Sequence, residues 1–266
     1  MSVAPLSAAA RLARDLLFRE KRCLVCGVPY IPERGTSPTT PAALFCPACA
    51  QALAHRQAGF CPLCGELAAW PELPPMPCGR CLATPPPWEG FVFHAAYEGR
   101  LRQMILGLKF RNLLAWGYGL GALLAHNTAL LHLFTEASPV DCIAPIPLHT
   151  SRLGERGYNQ ATEIARGLLS CLPKHHAITL KPELLLRTKA GPPQRSLARA
   201  ERAANVRGVF TVTENLHNKR IILLDDIYTT GATLRSATET LLEAGARVDV
   251  VVVGRTPKHF WGKGFV

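Results

Sequence analysis

Eight of the ten cysteines form four C-x-x-C pairs within about sixty residues, and this pattern constrains the fold more than any other feature of the chain. Two thiolates separated by two residues can bind one metal ion from a tight turn, and two such turns complete a tetrahedral four-cysteine site. The sequence therefore predicts two structural zinc ions, Zn2+. Their predicted ligands are Cys23, Cys26, Cys46, Cys49, Cys61, Cys64, Cys78 and Cys81.

Disulfides and redox chemistry are the rival interpretations of these cysteines. The first 23 residues lack the basic start, apolar stretch and cleavage site of a secretory signal, so we expect a cytoplasmic protein with reduced thiols. A redox dithiol would need one such pair and not four. Consecutive and interleaved pairings both fit two zinc ions. Consecutive pairing is favoured, because its shorter loops close more readily.

A proline-rich stretch follows the last cysteines and indicates a boundary. Residues 71–87 hold seven of the 22 prolines and end in three consecutive prolines. Such a run is typical of an extended, semi-rigid spacer. We therefore expect a double zinc-ribbon module with its linker over residues 20–87 and a second, larger domain over residues 88–266.

The second domain alternates between strand-like and helix-like segments. The predicted strands are 90–97, 140–145, 183–187, 220–224 and 248–254, and the predicted helices are 100–110, 113–133, 159–172 and 233–244, with a charged helical or mobile segment at 196–206. Strands alternating with helices predict an α/β fold with a parallel sheet, in which ligands bind at the carboxyl ends of the strands. No apolar run reaches the roughly 18 residues of a membrane-spanning helix.

The strongest chemical signal is IILLDDIYTTGAT, residues 221–233. Four aliphatic residues predict a buried parallel strand that ends at two adjacent carboxylates, Asp225 and Asp226. The loop that follows enters a helix, so its hydroxyls and backbone N–H groups can converge on one anion. Carboxylates beside a phosphate-binding loop predict a ligand that carries both a polyol and a phosphate. The alternative is a plain buried strand with an acidic, capped turn.

This segment resembles the phosphoribosyl-pyrophosphate (PRPP) motif of type I phosphoribosyltransferases. The whole chain resembles the ComF family, which joins a cysteine-rich zinc module to that fold. Further stretches that match are LKFRN, which contains Lys109, and residues 145–161 and 194–208. The resemblance implies that Asp225 and Asp226 are catalytic and that PRPP binds together with Mg2+. It implies phosphate contacts from Tyr228, Thr229, Thr230, Gly231, Ala232 and Thr233.

Basic residues suggest where polyanions bind. The net charge is +11, and residues 91–266 carry 22 Lys and Arg against 13 Asp and Glu. Such an excess favours nucleic acid or a polyphosphate metabolite as a partner. We expect Arg152 and Arg156 to project from a loop next to the active face, where the resemblance implies that pyrophosphate lies, and Lys109 to contact phosphate. Arg195, Arg199 and Arg202 share one helical face, which could close on pyrophosphate or track a nucleic-acid backbone. For each of these groups a solvated surface is the alternative.

Two functional classes remain from the sequence. One is an enzyme that transfers the phosphoribosyl group of PRPP to a nitrogen nucleophile, of which nucleobase salvage is one form. The other is a non-catalytic factor that handles single-stranded DNA and binds PRPP as a ligand or regulator. The resemblance to ComF implies a role in competence and in the use of external DNA, with single-stranded DNA and a DNA-uptake helicase or ATPase as partners. No base-recognition element is visible, so no acceptor is predicted.

Overall fold

The computed structural model describes residues 20–134, 139–173, 177–188 and 208–257. The strands in these ranges are β1 (Lys21–Arg22), β2 (Pro29–Tyr30), β3 (Gly90–Ala96), β4 (Cys142–Pro145), β5 (Thr179–Leu180), β6 (Leu185–Arg187), β7 (Phe210–Val212), β8 (Arg220–Tyr228) and β9 (Arg247–Arg255). The helices are α1 (Pro41–Leu44), α2 (Pro47–Ala52), α3 (Gly79–Ala83), α4 (Gly99–Phe110), α5 (Leu114–Ala125), α6 (Thr128–Leu131), α7 (Thr150–Arg156), α8 (Gln160–Cys171) and α9 (Ala232–Glu243).

Five parallel strands form the central sheet, in the order β3-β9-β8-β4-β5. The two strands β8 and β9 are aliphatic along most of their length and largely buried, because helices cover both faces of a parallel sheet. The predicted α/β fold is thus confirmed. In the described ranges, no helix combines the length and apolar character needed to cross a membrane.

Three predicted elements differ from the structure. The strand predicted to end at residue 224 continues to Tyr228, because β9 stays paired with it as far as Arg255. The helix predicted over residues 113–133 is two helices, since the Asn127 side chain accepts hydrogen bonds from the first amides of α6 and starts a new helix. The strand predicted over residues 183–187 is β6, which pairs antiparallel with β7 outside the central sheet.

The cysteine-rich region packs directly on the sheet and its helices. The core around Cys23 and Cys49 also contains Met104 of α4, and Trp116 Nε1 donates to the Leu24 carbonyl at 2.7 Å. The core around Cys61 and Cys64 continues into side chains of β3 and β8. Residues 71–87 were predicted to form an extended spacer, but they are not extended throughout. The helix α3 lies within them and carries Cys81 of the last C-x-x-C pair. The boundary near Trp88 stays a prediction.

Candidate active site and metal centres

The eight paired cysteines form two separate clusters. The first cluster contains Cys23, Cys26, Cys46 and Cys49, and the second cluster contains Cys61, Cys64, Cys78 and Cys81. Within each cluster the four Sγ atoms all lie within 4.8 Å of one another. Consecutive pairs therefore share a site, as the shorter loops predicted. None of the ten cysteines, all of which lie in the described ranges, forms a disulfide.

The geometry and chemistry of both clusters fit zinc. Each starts with a turn that closes on a glycine of positive φ, with Gly27 N donating to Cys23 O at 2.9 Å and Gly65 N donating to Cys61 O at 2.8 Å. Burial acts to raise the pKa of Cys23, but backbone hydrogen bonds from Cys26, Cys46 and Val25 outweigh it and lower the pKa to about 6. Burial likewise acts to raise the pKa of Cys78, but backbone and side-chain hydrogen bonds lower it, so each cluster has one thiol that is deprotonated more readily than a free cysteine. Four closely spaced cysteine sulfurs are the donor set of structural zinc sites.

Two adjacent carboxylates lie near the carboxyl end of β8. Successive side chains of a strand point to opposite faces, yet the Asp225 carboxylate stays close to its neighbour, because its Oδ1 accepts a hydrogen bond from the Asp226 backbone amide at 2.8 Å. Burial and the neighbouring charge of Asp226 raise the pKa of Asp225 to about 7, against the opposing effect of Lys109. One of the two carboxyl groups therefore titrates near neutral pH.

Lys109 lies in the last turn of α4 and reaches this pair of carboxylates. Its Nζ is 2.7 Å from Asp226 Oδ2. The sequence predicted that Lys109 would contact phosphate. The structure brings Lys109 to the site, where its partner is a carboxylate, and the phosphate contact stays a prediction. Tyr97 is also near, since burial and then the charge of Asp226 raise its pKa to about 12, against the effect of Arg102.

The predicted phosphate loop connects β8 to α9. Thr229 and Thr230 form a partly exposed turn, and Gly231 is the N-cap of α9 with a φ of +81°. As a glycine, the N-cap has no side chain that could cap the first amides of α9, and the first turn of the helix carries no acidic residue. Uncapped N–H groups at the positive end of a helix form a favourable environment for an anion. Thr233, in the first turn, is partly exposed beside them.

Tyr228 supports this loop from inside the protein. Its side chain is buried, and its ring lies 4.4 Å from the Arg255 guanidinium and edge-to-face against Phe91 at 5.4 Å. A Cβ added to Gly231 would lie 2.2 Å from the Tyr228 hydroxyl oxygen. Only glycine therefore fits at position 231, both for its positive φ and for this close approach. Tyr228 shapes the loop, and its predicted phosphate contact stays a prediction.

The short helix α7 carries arginines near the carboxylates. Arg152 and Arg156 were predicted to project from a loop, but they lie on the short helix α7, whose N-cap His149 accepts a hydrogen bond from the Ser151 amide. Arg156 donates to Gln160 Oε1 at 2.9 Å. Burial lowers the pKa of Arg156, while the charge of Asp226 acts to raise it. Arg152 is exposed on the same helix.

Arg187, the last residue of β6, is a site residue that sequence reasoning did not select. Burial and then the charge of Arg152 lower its pKa, while Asp225 acts to raise it, so all three groups are close enough to interact. In the sequence it stood out only as part of a basic segment, because β6 was assigned to the central sheet. Arg195, Arg199 and Arg202 lie outside the described residues.

The residues that follow α7 are held by the fold itself. Asn159 caps α8 by accepting from the Ala161 amide at 3.0 Å, and it donates to the Ile146 carbonyl at 2.9 Å. The Tyr158 hydroxyl donates to the Leu108 carbonyl. Asn159 is therefore a helix cap in this structure.

Comparisons with known proteins agree with this architecture. Residues 156–258 match the phosphoribosyl transferase domain family. The chain is 31% identical over 204 residues to the DNA utilization protein YhgH of Salmonella typhimurium, covering 76% of this chain and 86% of the relative. It is 27% identical over 232 residues to competence protein F of Haemophilus influenzae, covering 86% and 93%. It is 37% identical over 110 residues to the competence protein ComFC of Bacillus subtilis, covering 41% of each chain.

One solved structure is a more distant match. A hypoxanthine phosphoribosyltransferase from Staphylococcus aureus aligns with a TM-score of 0.31 at 16% identity, over 52% of this chain and 73% of that one. This likeness is too low to bear on the fold or on the substrate.

Proposed function

This chain belongs to the ComF family, together with the DNA utilization protein YhgH and the competence proteins, and from that premise we propose that it binds PRPP with Mg2+ and transfers the phosphoribosyl group. We propose further that this activity serves competence or the use of external DNA, and that the protein works in the cytoplasm. The observation that carries the proposal is the pair Asp225-Asp226 near the end of β8, with the threonine- and glycine-containing loop that leads into the amino end of α9 just after it.

The proposed binding mode divides PRPP among three groups of residues. The loop over residues 229–233 holds the 5′-phosphate at the amino end of α9. Asp225 and Asp226 accept hydrogen bonds from the ribose hydroxyls, and Mg2+ bound with PRPP would supply positive charge to offset that of the pyrophosphate group. Arg152, Arg156 and Arg187 lie on the side from which pyrophosphate would leave.

The proposed transfer needs no nucleophile from the protein. The bond between ribose C1 and pyrophosphate breaks, and a nitrogen of the acceptor forms the new bond to C1. Positive charge builds up on the ribose ring during this exchange, and negative charge builds up on the leaving pyrophosphate. Carboxylates beside the ring and guanidiniums beside the leaving group stabilise these charges, so the protein contributes positioning and electrostatics.

A ligand series tests the proposed binding. Calorimetric titration of the wild-type protein with PRPP, ribose 5-phosphate and pyrophosphate, each with Mg2+, should give the tightest binding for PRPP, because only PRPP reaches all three groups of residues. Equal affinity for PRPP and pyrophosphate would limit the site to the arginines and would contradict the proposal. Release of pyrophosphate from PRPP in the presence of purine or pyrimidine bases, with and without single-stranded DNA, tests the transfer step.

A specific observation favours single-stranded DNA as a second ligand. Phe110 directly follows Lys109, its side chain is 65% exposed, and the Arg156 guanidinium lies 5.3 Å from its ring centroid. Exposed aromatic rings beside arginines are the stacking platforms of proteins that bind single strands. We propose that Phe110 stacks a base close to the carboxylates, so that DNA and PRPP would occupy adjoining surfaces. A DNA-uptake helicase or ATPase remains a proposed partner on the basis of the family alone.

The DNA proposal is tested by anisotropy of a labelled oligothymidine over a salt series. Phe110→Ala should weaken binding about tenfold, as expected for one lost stacking contact. The matched control is Trp70→Ala, which removes an aromatic ring of similar exposure from the cysteine-rich region and should have little effect. Replacing Arg195, Arg199 and Arg202 together should flatten the salt dependence. Equal losses in the Phe110 and Trp70 variants would reject the platform.

We propose that each four-cysteine cluster holds one zinc ion in a structural role. The composition of the clusters, the closeness of their sulfur atoms and the absence of disulfides support this. Both clusters lie within hydrophobic cores that include parts of the α/β domain. Metal binding would therefore contribute to the stability of the whole fold.

A further inference from the structure

Arg255, the last residue of β9, is fully buried next to the phosphate loop. Its Nη1 donates to the carbonyl oxygens of Thr229 at 2.9 Å and of Tyr228 at 3.2 Å, and its guanidinium lies over the Tyr228 ring. The parallel register places Arg255 opposite Tyr228. One side chain therefore fixes the backbone at the start of the loop and supports the ring beneath Gly231.

The same guanidinium also binds the second four-cysteine cluster. Its Nε donates to the Cys64 carbonyl at 3.1 Å, and its Nη2 donates to Glu66 Oε2 at 2.8 Å. Glu66 follows the Cys61/Cys64 turn by two residues and is itself buried. Arg80, which lies between the last two cysteines of the cluster, binds Glu66 Oε2 at 3.4 Å and approaches Cys64 Sγ at 3.9 Å.

A buried arginine is costly unless its charge is paired and its donors are used. Here Glu66 supplies the opposite charge, and four backbone carbonyls, those of Cys64, Tyr228, Thr229 and Thr256, take up further donors. Lysine could not replace this arrangement, because its single ammonium group lacks the planar fork that reaches both sides. The first cluster packs elsewhere, against α4 and α5.

We propose that Arg255 is a positioning residue for the phosphate loop and that it couples the second four-cysteine cluster to the PRPP site. The effect on PRPP rests on the proposed function, whereas the effect on the order of the loop does not. The coupling is specific to one cluster. Loss of metal from the second cluster loosens the loop over residues 228–233, and loss of metal from the first does not.

Hydrogen exchange of the loop amides tests the positioning role without any ligand. In Arg255→Lys, exchange over residues 228–233 should be about tenfold faster than in the wild type, and PRPP should bind about tenfold more weakly. Glu66→Gln should change both in the same direction and disturbs the fold less. The matched control is Arg220→Lys at the start of β8. It weakens a largely buried ion pair, in which Arg220 Nε lies 2.8 Å from Asp249 Oδ2, and it should leave loop exchange unchanged. Unchanged loop exchange in both Arg255→Lys and Glu66→Gln would overturn the proposal, as would equal acceleration in the control.

A matched pair of cysteine variants tests the coupling. Cys78 and Cys26 are the partly exposed members of their clusters. Cys78→Ser should empty the second cluster and accelerate hydrogen exchange of the loop amides. Cys26→Ser should empty the first cluster and leave that exchange unchanged. Metal content is measured in both variants. Acceleration in both variants or in neither would overturn the coupling. A wild-type protein that fails to bind PRPP, but whose loop responds as described, would reject the proposed function and leave this inference standing.

Discussion

The ammonium group of Lys109 lies 2.7 Å from a carboxylate oxygen of Asp226 and joins the last turn of α4 to the central strand β8. The side chains are 20% and 9% exposed, so the pair lies largely out of water. The carboxylate proposed to bind ribose thus has its charge balanced in the absence of ligand. We therefore expect this contact to stabilise the fold.

A double-mutant cycle should measure this relationship. Lys109→Met and Asp226→Asn should each lower the free energy of unfolding by about 1–3 kcal/mol, because each leaves a poorly solvated group without its partner. The double variant should lose less than the sum of the two, by about 1 kcal/mol or more. Urea unfolding monitored by circular dichroism gives these values.

The pair Lys219–Asp141 is the control for the cycle. It has a similar separation of 2.8 Å, but its side chains are 55% and 36% exposed. Exposed pairs contribute about 0–1 kcal/mol, so the same cycle should give a much smaller coupling there. Strictly additive effects at Lys109 and Asp226 would show that their contact does not stabilise the protein.

Asp225 should make stability depend on pH. Its pKa is raised to about 7 in the folded protein, so the folded state binds its proton more tightly than the unfolded state does. This contribution to stability is present below the unfolded pKa and is lost as the pH rises toward about 7. Asp225→Asn, which resembles the protonated form, should melt near the wild-type temperature at about pH 4, where Asp225 is protonated in the fold. At about pH 8, where Asp225 is ionised in the wild type, the variant should melt at least about 2 °C above the wild type.

Thermal unfolding of both proteins at the two pH values checks this prediction. The difference between them isolates Asp225, because every other titrating group is common to both. A melting-temperature difference that stays the same at both pH values would mean that the Asp225 carboxyl group keeps an ordinary pKa in the folded protein.

Metal analysis of the purified protein should find two zinc ions, one for each four-cysteine cluster. Cys61→Ser should lose one of them, because three ligands remain at that site. Cys171→Ser is the control, since Cys171 lies outside both clusters, and it should keep both ions. Native protein without zinc, in which all eight clustered thiols react freely, would contradict the assignment.

Gly231→Ala should destabilise the phosphate loop. Alanine would have to adopt the positive φ of this position, which residues with a Cβ disfavour. Its Cβ would also lie 2.2 Å from the Tyr228 hydroxyl oxygen. Gly35→Ala is the matched control, because Gly35 has the same φ of +81° but no atom within 4 Å of the added Cβ. The Gly231 variant should lose about 1–3 kcal/mol in unfolding free energy, and about 1 kcal/mol more than the control. Equal losses would mean that only the backbone conformation matters at position 231.

The sequence predicted local features of the chain better than contacts between distant residues. The pairing of the cysteines followed from loop lengths, and the position of Asp225 and Asp226 followed from an aliphatic run in an alternating α/β pattern. These signals are local in the chain. Lys109 was selected for its charge, but its partner Asp226 lies more than a hundred residues away, and no local pattern reveals such a pair.

Long-range contacts also explain what the sequence did not predict. Arg255 is one of thirty basic residues, and nothing in its neighbourhood distinguishes it from a surface arginine at the end of a strand. Its role becomes visible only when β9 pairs with β8 and the second cluster packs beside them. The end of β8 was misplaced for a similar reason, because pairing with β9 extends the strand past two carboxylates.

Asp226 and the loop that follows it are proposed to bind PRPP. Calorimetric titration with PRPP and Mg2+ of the wild type, Asp226→Asn and the control Asp141→Asn is the decisive experiment for this role. Each charge-assisted hydrogen bond contributes about 1.5–3 kcal/mol, so Asp226→Asn should bind PRPP at least about tenfold more weakly than the wild type. Asp141→Asn changes only a partly exposed carboxylate that pairs with Lys219, so this variant should bind PRPP like the wild type. Wild-type affinity in Asp226→Asn, or no binding by the wild type itself, would contradict the account.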